Sequence, residues 1–301
     1  MNDLDAQILT SFDNLEEVVS MMSYFGGKAN MIGDIKNFIR EDTTDWYELF
    51  AGGASVSLNL GNKIFKTKWL NDVDYDVYNI LDLMSKPVTA EKLIERLYRL
   101  EYSKSTYDMA KRFKKIHYIG LDRIERAAME FVLITQSFSA TRNGFSKRWT
   151  TEQYQKHLHK NLPKILARLK DFKITNKDAI DIIRDKAVAD NETGFLYLDV
   201  PYEEKYRTRG GIYTYDTDDI FQMRLLASIA DIKCPTLLCG YREPLVCLYD
   251  KWLRSRPQWH LYKIKTVVKS SSSQIIKPEA EEYVWCNYDL PSTAVYEEQI
   301  Y

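Results

Sequence analysis

The chain has 301 residues, 45% of them hydrophobic and 28% charged, enough to bury one large α/β core or two of moderate size. No apolar run approaches the roughly 20 residues that span a bilayer, and the acidic, amphipathic MNDLDAQILTSFDNLEEVV lacks the basic-then-apolar order of a signal peptide. A cytoplasmic protein with no membrane segment is therefore expected. Cys234, Cys239, Cys247 and Cys286 have no CxxC spacing and the four histidines are scattered, so neither a metal site nor a disulfide framework is expected. The net charge of -1 hides an asymmetry: from Ser85 to Thr175 there are 12 Lys and 8 Arg against 9 acidic residues, a net of +11. Such a segment suits a polyanion partner, or simply a set of solvated helix faces.

In chain order, the first ~20 residues read as a helix or an extension. SYFGGKANMIGDIKNFI follows, a glycine turn leading into helical spacing at Met31, Ile35, Phe38 and Ile39. Asp45 to Leu49 reads as a strand running into FAGGASVSLNLG, where a glycine pair precedes a helix, and KTKWLNDVDYDVYNIL repeats the strand-turn-helix theme. Two such units in succession argue for a parallel, doubly wound sheet. From about Ser85 strand signals stop. EKLIERLYRLEY, TYDMAKRFKKIHYI, RIERAAMEFVLITQSF and LPKILARLKDF have helical periodicity with basic outer faces. Strand character returns at FKITNKDAIDII, GFLYLDV, PTLLCGY, HLYKIKTVV and EEYVWCNYDL, with SSSSQ at Ser270 to Gln274 as a loop. The expected organisation is an α/β domain in two parts, 1–84 and 174–301, split by a basic helical insertion at 85–173.

The turn at Phe50-Ala-Gly-Gly-Ala lets a ligand approach the backbone. Asp72 follows Gly53 by 19 residues at the end of the next strand, where an acid can accept hydrogen bonds from both hydroxyls of a ribose. Neither GxxxxGKS nor GxGxxG occurs, which favours an adenosyl group without phosphates, as in S-adenosylmethionine. Lys28, in Tyr24-Phe-Gly-Gly-Lys, reads either as a partner for the amino acid end of such a cofactor or as a solvated lysine at a helix start. FLYLDVPY ends a buried strand with Asp199, Val200, Pro201 and Tyr202. A carboxylate and the Val200 carbonyl can each accept one N–H of an exocyclic amine, turning the nitrogen lone pair toward a methyl donor, while Tyr202 offers a face to a flipped base. A turn-capping Asp beside a core tyrosine is the plainer reading.

Taken in order, YFGGK (24–28), ELFAGGASV (48–56), NDVD (71–74), TNKDAIDII (175–183) and YLDVPY (197–202) resemble the DNA adenine-N6 methyltransferases of the class that includes DNA adenine methylase. The resemblance runs from about residue 20 to 290 and implies a Rossmann-like, S-adenosylmethionine-dependent α/β methyltransferase fold with an inserted helical target-recognition domain. It implies a cofactor pocket of Tyr24, Gly27, Lys28, Glu48, Phe50, Gly52, Gly53 and Asp72, with Asp178 at the cofactor adenine and Asp199 at its edge. Catalysis is implied at Asp199, Val200, Pro201 and Tyr202, without a metal, on an adenine flipped from double-stranded DNA by a protein expected to be monomeric. The exocyclic-amine argument alone leaves RNA and cytosine N4 open as substrates, and a catalytically silent DNA-binding relative is the alternative of another class. The sequence departs from the family in two places. Asp-Val-Pro-Tyr stands where the family has Asp-Pro-Pro-Tyr, and TQSFSATRNGFSKRW (135–149) does not reproduce the Asn-Gly-Leu-Tyr-Arg stretch of the GATC-specific members. Within that stretch Arg142, Asn143, Lys147 and Arg148 are expected on a loop or hairpin facing DNA. Tyr213 and Tyr215, after Gly210 and Gly211, are read as part of a loop that could close over the base.

Overall fold

The computed structural model describes residues 19–22, 27–60, 65–201, 218–242, 247–268 and 279–300. Within them the elements run α1 (Ile32–Phe38), β1 (Asp45–Glu48), β2 (Thr67–Asn71), α2 (Tyr75–Met84), α3 (Pro87–Tyr98), α4 (Lys104–Lys115), α5 (Arg123–Thr135), α6 (Thr151–Leu169) and β3 (Lys173–Thr175). They continue with α7 (Ala179–Arg184), α8 (Lys186–Ala189), β4 (Gly194–Leu198), α9 (Asp219–Ile229), β5 (Thr236–Gly240), α10 (Leu248–Leu253), β6 (His260–Val268), β7 (Glu279–Cys286) and β8 (Glu298–Ile300). The eight strands are ordered β3-β2-β1-β4-β5-β7-β6-β8. Strands β2 and β3, β1 and β4, and β4 and β5 pair in parallel, whereas β7 runs antiparallel to both β5 and β6, and β8 antiparallel to β6. The chain divides into two compact units, one of residues 1–30, 51–63 and 69–176, the other of residues 31–50, 64–68 and 177–301.

The second unit holds the apolar strands. Every residue of β4 and β5 is buried, as expected of parallel strands covered on both faces. Trp46 of β1 lies in register with Phe195 and stacks on it at 5.5 Å, and Tyr197 stacks on the same indole at 5.8 Å. Gly194 opens β4 because a Cβ there would meet the Cys234 sulfur and the Tyr47 ring at 2.9 Å.

The first unit holds the helices. Asp74, Ser103 and Asp122 accept backbone N–H groups at the starts of α2, α4 and α5, and Thr150 with Gln153 forms a capping box for α6. Helix α5 packs against α2, α3 and α4 and is buried without interruption from Ala127 to Ile134. Glu130 falls in the middle of that run, so a carboxylate sits at the centre of a helix otherwise enclosed by apolar groups.

Two of the differences from the sequence reading lie in the first unit. The stretch after the glycine pair forms only a 3-10 turn, Ser57–Asn59. Ser57 and Asn59 are weaker helix formers than Leu58 between them, and the Asn59 side chain spends its hydrogen bonds on Val19, the Ser55 carbonyl and Arg168. Helix α6 begins at Thr151, well before the expected LPKILARLKDF, and carries Pro163 in its interior.

Candidate active site

Within the first unit the chain leaves β2 at Asn71 and Asp72 turns back onto the glycine turn. Gly52, at φ +47, donates its backbone N–H to Asp72 Oδ2 at 2.8 Å, and the Asp74 N–H donates to Asp72 Oδ1 at 2.9 Å. Asn176 fixes the same bend from its other side, donating to the carbonyls of Asp72 (2.7 Å) and Val73 (2.9 Å). Desolvation, and then the neighbouring Asp74 charge, push the Asp72 carboxyl up to about 7 against the lowering effect of the two N–H groups and Arg142. Met21 N–H and the Ser20 hydroxyl donate to the Gly53 carbonyl at 3.1 and 3.3 Å, tying the segment before the first glycine turn to the second. Lys28 is buried, which sets aside a solvated lysine, and Gly27 is exposed. Tyr24 lies outside the described residues.

Within the second unit the predicted residues gather at the carboxyl ends of β1 and β4, where the strand order reverses and open α/β sheets bind their ligands. Glu48, buried at the end of β1, lies in register with Tyr197. Two residues on, Asp199 leaves β4 partly exposed, Val200 is buried with 1% of its surface exposed, and Pro201 follows. Helix α9 supplies what the sequence reading missed. Phe221 meets the Phe50 ring edge-on at 6.2 Å, Gln222 donates to the Pro201 carbonyl at 3.2 Å, and Arg224 lies 3.7 Å from the Asp178 carboxylate. Asp178 also caps α7 through the Ile180 N–H. Gln222 is fully buried and accepts in turn from the Tyr249 hydroxyl at 2.8 Å. A glutamine on an otherwise apolar face of DIFQMRLLASI was the available signal. Tyr202, Tyr213 and Tyr215 lie outside the described residues, as does the serine loop.

The expected nucleic-acid residues divide into two kinds. Asn143, Lys147 and Arg148 are exposed, and the Arg148 guanidinium lies 4.7 Å over the Trp149 ring, beside a cavity of about 250 Å³ that both residues line. Arg142 points inward, its side chain only 9% exposed, and pairs with Glu130 and with Asp74 at 3.2 Å. Much of the basic charge of this segment is likewise used internally, as in Arg96 with Glu125, Arg123 with Asp82 and Arg126 with Asp76. Among the described residues no group of three or more His, Cys, Asp or Glu could hold a metal ion, and no helix is long and apolar enough to cross a membrane.

The strand order, the acid-clamped glycine turn and the acid at the end of β4 define a Rossmann-like methyltransferase fold. The family model of the D12 class N6 adenine-specific DNA methyltransferases matches residues 24–281, and the chain belongs to that family. The protein is an adenine-specific DNA methyltransferase (EC 2.1.1.72), which moves a methyl group from a donor to N6 of adenine at particular sites in DNA. No curated protein matches the chain significantly.

Proposed function

We propose that the methyl donor is S-adenosylmethionine and that the acceptor is an adenine turned out of double-stranded DNA. The donor fits the chemistry of the first unit: a glycine turn with backbone in the left-handed region, clamped by a half-buried carboxylate that can accept ribose hydroxyls. When bound, this cofactor supplies an electrophilic methyl group on a sulfonium. Tyr24, Gly27, Lys28, Glu48, Phe50, Gly52, Gly53 and Asp72 hold it, with Asp178 at its adenine. Residues 85–173 act as the target-recognition segment within a methyltransferase domain of residues 1–84 and 174–301.

The observation that carries the reading is the end of β4, where Asp199 emerges from a fully buried strand and is followed by an anchored turn. An adenine N6 amine is a weak nucleophile because its lone pair is delocalised into the ring. Asp199 and the Val200 carbonyl would each accept a hydrogen bond from one of its N–H groups, drawing the nitrogen toward tetrahedral geometry so that its lone pair attacks the methyl in line as the methyl–sulfur bond breaks, after which the nitrogen gives up one proton. Tyr202 stacks on the displaced base. Val200 replaces a proline ring with a buried side chain, so packing does the stiffening that a second ring would have done, and Gln222 fixes the next carbonyl. Incubating Asp199→Ala with labelled S-adenosylmethionine and duplex DNA should show methylation reduced about 10²-fold or more. A variant as fast as the parent would overturn the assignment, and faster labelling of RNA than of duplex DNA by the parent would overturn the acceptor.

A further inference from the structure

The acid expected at the donor ribose and the loop expected at DNA belong to the same compact unit, and an unbroken chain of polar contacts joins them. It starts at Gly52, whose N–H donates to Asp72 Oδ2, and passes through the Asp74 N–H on Asp72 Oδ1. Asp74 Oδ2 then meets Arg142 Nη2 at 3.2 Å, and Arg142 Nε donates to Glu130. Glu130 also accepts from Lys114 Nζ at 2.8 Å and from the Tyr118 hydroxyl. The side chains of Arg142, Asp74 and Glu130 are 9%, 7% and 0% exposed, so these pairs are shielded from the screening that empties a surface pair of meaning.

The backbone around Arg142 is as constrained as its side chain. Ser139, Ala140 and Arg142 have φ of +51°, +56° and +59°, a region that side chains other than glycine adopt only where their surroundings over-determine it. Arg142 N–H donates to Ser137 Oγ and its carbonyl accepts from the Tyr107 hydroxyl, each at 2.9 Å. A bridge between Ser137 and Phe145, with Phe138 N–H on the Gly144 carbonyl and Ser146 N–H on the Gln136 carbonyl, closes the hairpin that also presents Asn143 and leads to Lys147 and Arg148. The inward arginine is thus carried on the same hairpin that presents Asn143 and leads to Lys147 and Arg148.

We propose that Arg142 is a positioning residue that couples target recognition to donor binding: DNA contacts that fix the hairpin hold Arg142 on Asp74, and Asp74 holds the Asp72 turn in its donor-binding form. By linkage, the donor strengthens DNA binding by the same factor that DNA strengthens donor binding. The inference rests on the proposed roles of Asp72 and of the 135–149 stretch. Charge supports it as well. The groups facing Asp72 are Asp74, which raises its pKa, and Arg142, which lowers it, with Glu130, Lys114, Asp76 and Arg126 behind them. Only ionised Asp72 offers acceptors to both ribose hydroxyls, so donor affinity should rise with pH through about 7.

Equilibrium binding of S-adenosylhomocysteine tests this, with and without a duplex carrying the motif found by sequencing methylated DNA from an expressing host. The parent should show a coupling of about fivefold or more. Arg142→Gln should bring it to about 1 and move the pH midpoint of S-adenosylhomocysteine binding upward. Asp74→Asn, whose amide oxygen can still cap Asp76 N–H, should also abolish coupling but move the midpoint downward, and it carries the test if Arg142→Gln does not fold. A lesion that merely loosened the fold would not give midpoints of opposite sign. Coupling that persists in a folded variant, a parent with no coupling, or midpoints that stay put would each overturn the inference while leaving methylation by the parent intact. A parent that methylates no DNA would instead overturn the functional reading, and this inference with it.

Discussion

Two turns in this protein are held from behind by opposite means. The hairpin at Arg142 is fixed by buried charge, with Glu130 gathering Lys114, Tyr118 and Arg142 inside an otherwise apolar helix. The turn after β4 is fixed by neutral dipoles: Gln222 on the Pro201 carbonyl, Tyr249 on Gln222, and the Tyr249 ring edge-on to Trp285 at 5.1 Å. The difference matters because buried charges respond to any charge brought nearby, whereas neutral hydrogen bonds hold position without responding. The loop proposed to face DNA would gain from the first arrangement. A carboxylate and carbonyl that must stay aimed at one nitrogen gain from the second.

The hairpin depends most on Glu130. Replacing it by Gln takes from Arg142 and Lys114 their shared buried carboxylate, leaving Asp74 beside the first and Asp76 beside the second, and should lower the unfolding free energy by about 3 kcal/mol. Complete burial would push the Glu130 carboxyl up, but Arg142, Lys114 and their hydrogen bonds outweigh it and hold it below the ordinary value. A carboxyl depressed in the folded state contributes stability above its unfolded pKa and loses it as pH falls through the folded one. Denaturant melts of parent and Glu130→Gln should therefore differ most near neutrality and converge in acid, below about pH 4. A gap of constant size would mean that the carboxylate's charge is not what holds the hairpin.

Gln222→Leu sharpens the other side. It keeps the side chain's bulk but removes the hydrogen bonds of Gln222 to the Pro201 carbonyl and the Tyr249 hydroxyl, for a loss of about 1–3 kcal/mol. The substitution removes no charge, so this loss should not vary with pH. Methylation kinetics should separate positioning from folding: kcat falls while KM for DNA and for the donor stays near the parent's value. A variant with unchanged kcat would show that the Asp199 turn needs no support from α9.

How much of this the sequence makes legible follows from which forces are local. The β4 run GFLYL predicts a buried strand, Asp199 follows as its partly exposed end, and Asp72 lies one strand-turn-helix unit beyond the glycine turn. These depend on period and spacing, which a linear text carries. The partners do not follow in that way. Gln222 reaches Pro201 from 21 residues away, and Arg142 turns inward on a backbone that takes positive φ at Ser139, Ala140 and Arg142 itself. Charge count places Arg142 among the DNA-facing residues; only tertiary structure, with a carboxylate at the bottom of the hairpin, shows where its guanidinium is used. One signal was present and informative, a lone acid within AAMEFVLI, since a carboxylate in so apolar a run must meet a cation.

The smallest effect on stability, and the cleanest separation of the hairpin's two faces, should come from its outward cations. Lys147 and Arg148 are exposed, and Arg148 contributes mainly its packing on Trp149, so Lys147→Gln and Arg148→Gln should barely move the melting temperature. Their effect lies in DNA affinity. Each phosphate left without its cation should reduce the slope of log K against log salt by about 0.9, weakening binding without regard to sequence. Arg142→Gln should do the reverse, leaving the salt slope at the parent's value while changing how strongly the donor and DNA reinforce one another, because its charge is already neutralised by Glu130 and Asp74. If Arg142→Gln lowers the salt slope as Lys147→Gln does, the guanidinium leaves its buried partners when DNA binds, and the hairpin has one functional face instead of two.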